Sequence, residues 1–157
     1  MKIRFFLALV GLAISFALPT FAQQTVDPKI EQQIRALAAK YDDAINRHDA
    51  AAVAALYTQD GVGQIPEQKL SPGHGRQGIE KTFAHWFRNW QVGNYITTVD
   101  RVIAAGNEIR SLGRLSDMFK GTEGGTTSFE GHYSWVIVRE GDTWKIRKST
   151  FSGYFTG

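Results

Sequence analysis

One change of period divides the chain. Up to Trp90 the apolar residues recur at helical spacing; after Gly93 they alternate. Between Lys29 and His48, the residues Ile30, Ile34, Leu37, Ala38, Tyr41 and Ile45 fall on one helical face. Asp49 then precedes an alanine-rich run that ends at Tyr57. Aspartate caps helix N-termini and alanine is the best helix former, so a second, short helix is predicted there. Ile79, Phe83, Trp86, Phe87 and Trp90 predict a third helix over 76–90, with a strongly aromatic face. The glycines and prolines of 61–75 predict a short extended piece and a loop before it.

Alternating segments follow at 95–104, 108–119, 126–139 and 143–151, separated by turn residues at Gly106-Asn107, Gly121–Gly125 and Glu140-Gly141-Asp142. Short turns join antiparallel neighbours. Helices first and strands afterwards predict an α+β fold: three helices against one curved antiparallel sheet. In the third of these strands Trp135 and Ile137 point to one face, Val136 and Val138 to the other. A sheet that is apolar on both faces, with helices over only one, needs a second cover. A homodimer through the outer face is the simplest supplier.

The 157 residues suit one domain, and none of them is cysteine. That excludes disulfides, thiolate metal sites and cysteine nucleophiles. At the N-terminus, Lys2 and Arg4 precede an uncharged run from Phe5 to Ala17, and Thr20-Phe21-Ala22 ends in a small residue. This is the order of a secretory signal peptide, with cleavage expected after Ala22. Residues 1–22 are thus the expected leader and 23–157 the expected domain, periplasmic or secreted. Losing the leader takes the 18 basic residues to 16, against 15 acidic ones. A nearly neutral product gives no electrostatic reason to expect nucleic acid or an anionic membrane as partner.

Two stretches carry a resemblance: Tyr41-Asp42-Asp43-Ala44-Ile45-Asn46-Arg47-His48-Asp49, and Val53-Ala54-Ala55-Leu56-Tyr57-Thr58-Gln59-Asp60-Gly61-Val62. With Gly75-Arg76-Gln77-Gly78-Ile79 and Gly141-Asp142-Thr143-Trp144-Lys145-Ile146, they resemble the nuclear transport factor two-like superfamily in its SnoaL-like and ketosteroid-isomerase-like branches. The resemblance implies a cone-shaped fold whose open end holds a small molecule. Members include isomerases, cyclases, dehydratases and proteins that only bind. Ketosteroid isomerases use a carboxylate base and an oxyanion site of tyrosine and protonated aspartic acid. Tyr41 occupies the tyrosine's position, eight residues before Asp49. Ile65 stands where the base would be, and His132 and Ser134 stand near the place of the second oxyanion residue, so that chemistry is not carried over.

The candidate site is therefore an apolar pocket for a small hydrophobic molecule, lined by Tyr41, Phe83, Trp86, Trp90, Phe119, His132, Trp135 and Phe151. If the domain is an acid/base enzyme on a hydrophobic ring substrate, His132 would move the proton, since histidine titrates near neutrality, and Tyr41 would donate to a carbonyl oxygen. Arg114 is a further ligand-binding candidate. With Asp100 and Asp117 it could form an acid–arginine–acid set like that of epoxide hydrolases, or a solvated rim. Gly73-His74-Gly75-Arg76-Gln77-Gly78 has the glycine spacing of a dinucleotide motif but lacks the strand before it, and reads as a loop. His48, His74, His85 and His132 show no metal-ligand spacing. No cofactor or metal is expected.

Overall fold

The computed structural model describes residues 26–65, 71–121 and 124–156, so the expected leader, 1–22, lies outside the described residues. Helix α1 (Pro28–Asn46) starts at Asp27, whose side chain accepts from Lys29 N, with Pro28 at the first helical position. Its buried stripe is Ile34, Leu37, Ala38, Tyr41, Ala44 and Ile45. Asp49 caps α2 (Ala50–Ala55) by accepting from Ala52 N. Strand β1 (Tyr57–Gly63) and the short β2 (Gly73–His74) lead into α3 (Gly75–Asn89), which buries Ile79, Phe83 and Trp86. Then come β3 (Trp90–Val92), β4 (Ile96–Ala105), β5 (Glu108–Gly121), β6 (Thr126–Glu140) and β7 (Thr143–Thr156).

The strands form one seven-stranded sheet in the order β2-β1-β7-β6-β5-β3, with β4 also paired to β5. The α+β cone expected from the sequence is what the chain adopts, with two differences. The sheet is mixed, because β1 runs parallel to β7. Trp90 leaves α3 as extended backbone and pairs with Gly121, which starts a strand the helical period had hidden.

Alternation assigns two faces to the long strands. Ile109, Ser111, Leu115, Asp117 and Phe119 of β5 point inward with Phe129, Tyr133, Trp135 and Ile137 of β6. Arg110, Arg114, Ser116, Met118, Glu130 and His132 point outward. Glycines let the sheet curl. A Cβ on Gly113 would run into the Thr98 carbonyl oxygen, and one on Gly131 would meet the Ser152 carbonyl oxygen and the Phe129 ring. Only glycine lets neighbouring backbone approach this closely. Asp100 sits at a register shift in β4, where Val99 pairs with Gly113 and Arg101 with Leu112. This bulge puts Asp100 and Arg101 on the same outer side, although strict alternation sends them to opposite faces.

Candidate functional site

The aromatic residues expected to line a pocket do converge, with α1 and α3 on one side and the sheet on the other. Tyr41 is fully buried at their centre, with ring centroids 4.9 Å from Trp135, 5.9 Å from Tyr95, 6.3 Å from Phe83 and 6.4 Å from Tyr57. Phe83 continues to Trp86, Trp86 to Phe119, and Phe119 to the half-buried Trp90, at centroid distances of 6.0, 5.6 and 6.0 Å. Phe151 is buried on the inner face of β7, opposite Tyr133. Six of the expected residues thus form one aromatic chain, Tyr41, Trp135, Phe83, Trp86, Phe119 and Trp90, and Phe151 shares their face.

His132 and Arg114 are elsewhere. They are register partners on the outer face, and both are exposed. The Arg114 guanidinium binds Asp100 at 3.0–3.4 Å and holds that carboxyl below its usual range. The structure therefore does not bring His132 to Tyr41. The reason is parity: His132 is one residue out of phase with Tyr133 and Trp135, whose side chains enter the cone. The acid–arginine–acid set is divided by the same rule, since Asp117 points inward while Arg114 and Asp100 pair outside. His132 and Ser152 instead join two adjoining open concavities on the outer face, about 470 and 490 Å3, where Glu130, Arg101 and Tyr154 also lie.

The aromatic interior holds a set of polar atoms that lack close partners. Tyr41 OH, Tyr95 OH, Trp135 Nε1, Asp117 Oδ2, Asp42 Oδ1, Thr97 Oγ1 and Thr58 Oγ1 are buried with no close hydrogen-bond partner, although the Tyr41 hydroxyl faces those of Tyr57 and Tyr95, and Asp42 faces the Thr97 hydroxyl, at longer range. Such groups are uncommon in folded proteins, where an unmet buried donor or acceptor costs about 1–3 kcal/mol. Other interior polar atoms are satisfied. Tyr57 OH and Ser149 Oγ are 2.8 Å apart, and Ser111 Oγ lies 3.0 Å from Tyr133 OH.

Two carboxylates belong to this interior: Asp117, expected only as part of an acid–arginine–acid set or a solvated rim, and Asp42, which was not among the expected site residues. Asp117, 4% exposed, accepts from Met118 N through Oδ1 at 2.7 Å. Burial raises its pKa to about 7, against a smaller lowering by the Met118 and Asn94 backbone N–H groups. The half-buried Asp42, on α1, accepts from Thr97 N through Oδ2 at 2.9 Å, and burial raises it to about 6 against a smaller lowering by the Thr97 hydroxyl and backbone N–H. Tyr95 and Tyr41 are pushed well above the ordinary tyrosine range, first by burial, and both remain neutral donors. One signal for Asp117 was available in the sequence: it is in phase with Ile109, Leu115 and Phe119, so alternation alone sends it inward. Among the described residues no group of three His, Asp or Glu side chains is placed to hold a metal ion.

The family model described as a SnoaL-like domain matches residues 29–150. No curated protein matches by sequence. Among solved structures, the hexachlorocyclohexane dehydrochlorinase LinA type 2 superposes with a TM-score of 0.72 at 14% identity, covering 82% of this chain and 88% of that one. A ketosteroid isomerase-like protein from Erwinia carotovora atroseptica gives 0.70 at 20% identity, covering 81% and 98%. A protein from Catenulispora acidiphila, solved in complex with S-DNPA, gives 0.69 at 15% identity, covering 81% and 95%. At these identities the likeness is one of fold.

Proposed function

Because the chain belongs to the SnoaL-like domain family, whose model spans most of it, we propose that it binds a small hydrophobic ring compound inside the cone. One observation carries this reading. Polar atoms of Tyr41, Tyr95, Trp135 and Asp117 without close partners lie within an otherwise aromatic interior. Apolar walls with a few polar groups are the make-up of a small-molecule site. A ring lodged against the Tyr41–Trp135 pair would gain aromatic contact, and its polar substituent would supply hydrogen-bond partners. The neighbours of similar fold include a dehydrochlorinase and an isomerase-like protein, which supports a small-molecule ligand without choosing one.

A second reading, acid/base catalysis on such a ligand, is favoured by Asp117 and Asp42. Both carboxyls change protonation near neutral pH within the interior, as a general acid or base needs to. In this reading they replace His132 as proton carriers.

The protein is further proposed to be exported, with residues 1–22 removed, and to pair through the outer face of the sheet. Exposed Ile96, Met118 and Tyr154 and half-buried Leu112 and Val136 on that face support pairing. The binding proposal is tested by calorimetric titration of the purified exported protein with naphthylmethanol, beside its Tyr41→Phe variant. Saturable binding that weakens in the variant supports it. Absence of binding across ring compounds of this size overturns it.

A further inference from the structure

Resting on the pairing reading, we propose how two copies of the chain fit together. They meet outer face to outer face, about a two-fold axis that crosses the strands between His132 and Ser134. Glu130 of each copy then lands between Arg110 and Lys148 of the other.

Strand register lays the outer face out in rows. Glu130 of β6 stands between Ser116 of β5 and Tyr154 of β7. His132, the next outward residue of β6, stands between Arg114 and Ser152. Ser134 follows between Leu112 and Thr150, and Val136 between Arg110 and Lys148. Neighbouring strands are about 4.8 Å apart and successive rows about 6.8 Å apart. Arg110 and Lys148 therefore flank Val136 closely enough to reach a group placed over it.

The rows differ in charge. Glu130, Arg110 and Lys148 are all exposed. None of the ion pairs among the described residues includes any of the three. Arg114, by contrast, is held by Asp100. One end of the face thus offers a free carboxylate and the other end two free cations. Glu130 and Val136 are three rows apart, about 20 Å, so the carboxylate cannot meet these cations within one copy.

A two-fold contact must match the face to itself. An axis lying in the contact plane, across the strands, turns each strand end for end and sets it on its own copy. With the axis between His132 and Ser134, His132 opposes Ser134, Arg114 opposes Leu112, and the exposed Ile96 opposes the half-buried Ile103. The partner's Glu130 falls on Val136, between Arg110 and Lys148, and the contact forms twice. Other placements bring like charges together. An axis through the His132 row sets Arg114 on its own copy. An axis along the strands crowds Arg110 and Lys148 of one copy against those of the other. Like-charge contact across an interface is strongly unfavourable, so charge selects the first placement.

Shape and area agree with it. Sheets packed face to face keep their strand directions within about 30° of each other, as this axis requires. The two outer hollows, about 470 and 490 Å3, lie over the central rows and give the partner's Arg114 and His132 room. Across four strands, from Ser128 to Val138, the face projects to roughly 650 Å2, and a standard interface buries roughly 800 Å2 a side once side-chain relief is counted.

The test is a charge exchange followed by sedimentation equilibrium of the exported protein. Glu130→Lys sets like charges together at both contacts, and so does Arg110→Glu combined with Lys148→Glu. Each should weaken the dimer at least about tenfold. The triple variant, which carries all three substitutions, again opposes unlike charges and should return to within about threefold of the wild-type constant. Salt gives a second readout. Raising sodium chloride from about 0.05 M to about 0.5 M should weaken the wild-type and triple-variant dimers and strengthen those of the other two. If Glu130→Lys and the Arg110→Glu, Lys148→Glu protein both dimerise as tightly as the wild type, this arrangement is overturned while pairing through the face stands. A triple variant no tighter than those two overturns it as well. A monomeric wild-type protein overturns both the arrangement and the pairing reading.

Discussion

Tyr41 and Trp135 lie ring against ring, 4.9 Å between centroids, and neither the tyrosine hydroxyl nor the indole N–H has a close hydrogen-bond partner. Packing and polarity conflict at this contact. The rings stabilise the core by burial, while their two polar atoms reduce that gain. Tyr41→Phe removes one unmet group and keeps the ring. Its urea unfolding free energy should be unchanged or higher by about 1 kcal/mol, with ligand affinity reduced. Tyr41→Ala removes the ring and should cost about 3–5 kcal/mol.

Asp117 sets a pH dependence of opposite sign to that of a salt-bridged aspartate. Its pKa is raised from the ordinary 3.8 to about 7 in the folded protein, so the folded state holds the proton more tightly. Its stabilising contribution is present below the unfolded value and is lost as pH rises through the folded one. Unfolding free energy should therefore fall between about pH 4 and pH 7, by at most about 4 kcal/mol from this group. Asp117→Asn mimics the protonated acid, so urea unfolding across this range should show a flatter profile and higher stability above neutrality.

Curvature at Gly113 should resist substitution. An alanine there must displace the Thr98 backbone or the Tyr133 ring. Gly113→Ala should lower the unfolding free energy by about 1–3 kcal/mol, and more if the β4–β5 pairing opens. Alanine at Gly106, which has open space around it, should cost only the strain of its positive φ and serves as the comparison.

The outer face should govern assembly. Light scattering on the exported protein is expected to give a dimer, and Val136→Asp, on that face, a monomer. A monomeric wild-type protein removes the pairing proposal. The same sample tests export, since its intact mass should lack residues 1–22.

Much of this fold was legible because its elements are periodic. The stripe from Ile34 to Ile45 and the aromatic face of α3 stood at helical spacing, and Trp135 with Ile137 stood in strand phase. What escaped depends on pairing between distant segments. The parallel contact of β1 with β7 has no local signature, and neither does the bulge that turns Asp100 outward. Six of the expected lining residues form the aromatic chain because large rings in phase with a core face have few other places to go. His132 was chosen for its chemistry against its phase. Asp117 was weighed with Arg114 and Asp100 as a catalytic set or a solvated rim, although its phase with Leu115 and Phe119 sends it into the interior, away from Arg114.

The central claim, that a ligand occupies the interior beside Tyr41 and Trp135, is tested most directly at the Trp135 indole N–H. The chain has four tryptophans, and the resonance absent from a Trp135→Phe variant identifies this one in an amide and indole correlation spectrum. The Trp144 indole, which donates to Gln33 Oε1 at 2.8 Å outside the cone, is the internal control. On titration with naphthylmethanol the Trp135 signal should shift saturably while that of Trp144 stays in place. A Trp135 signal that does not move while the ligand binds elsewhere on the protein would contradict an interior site.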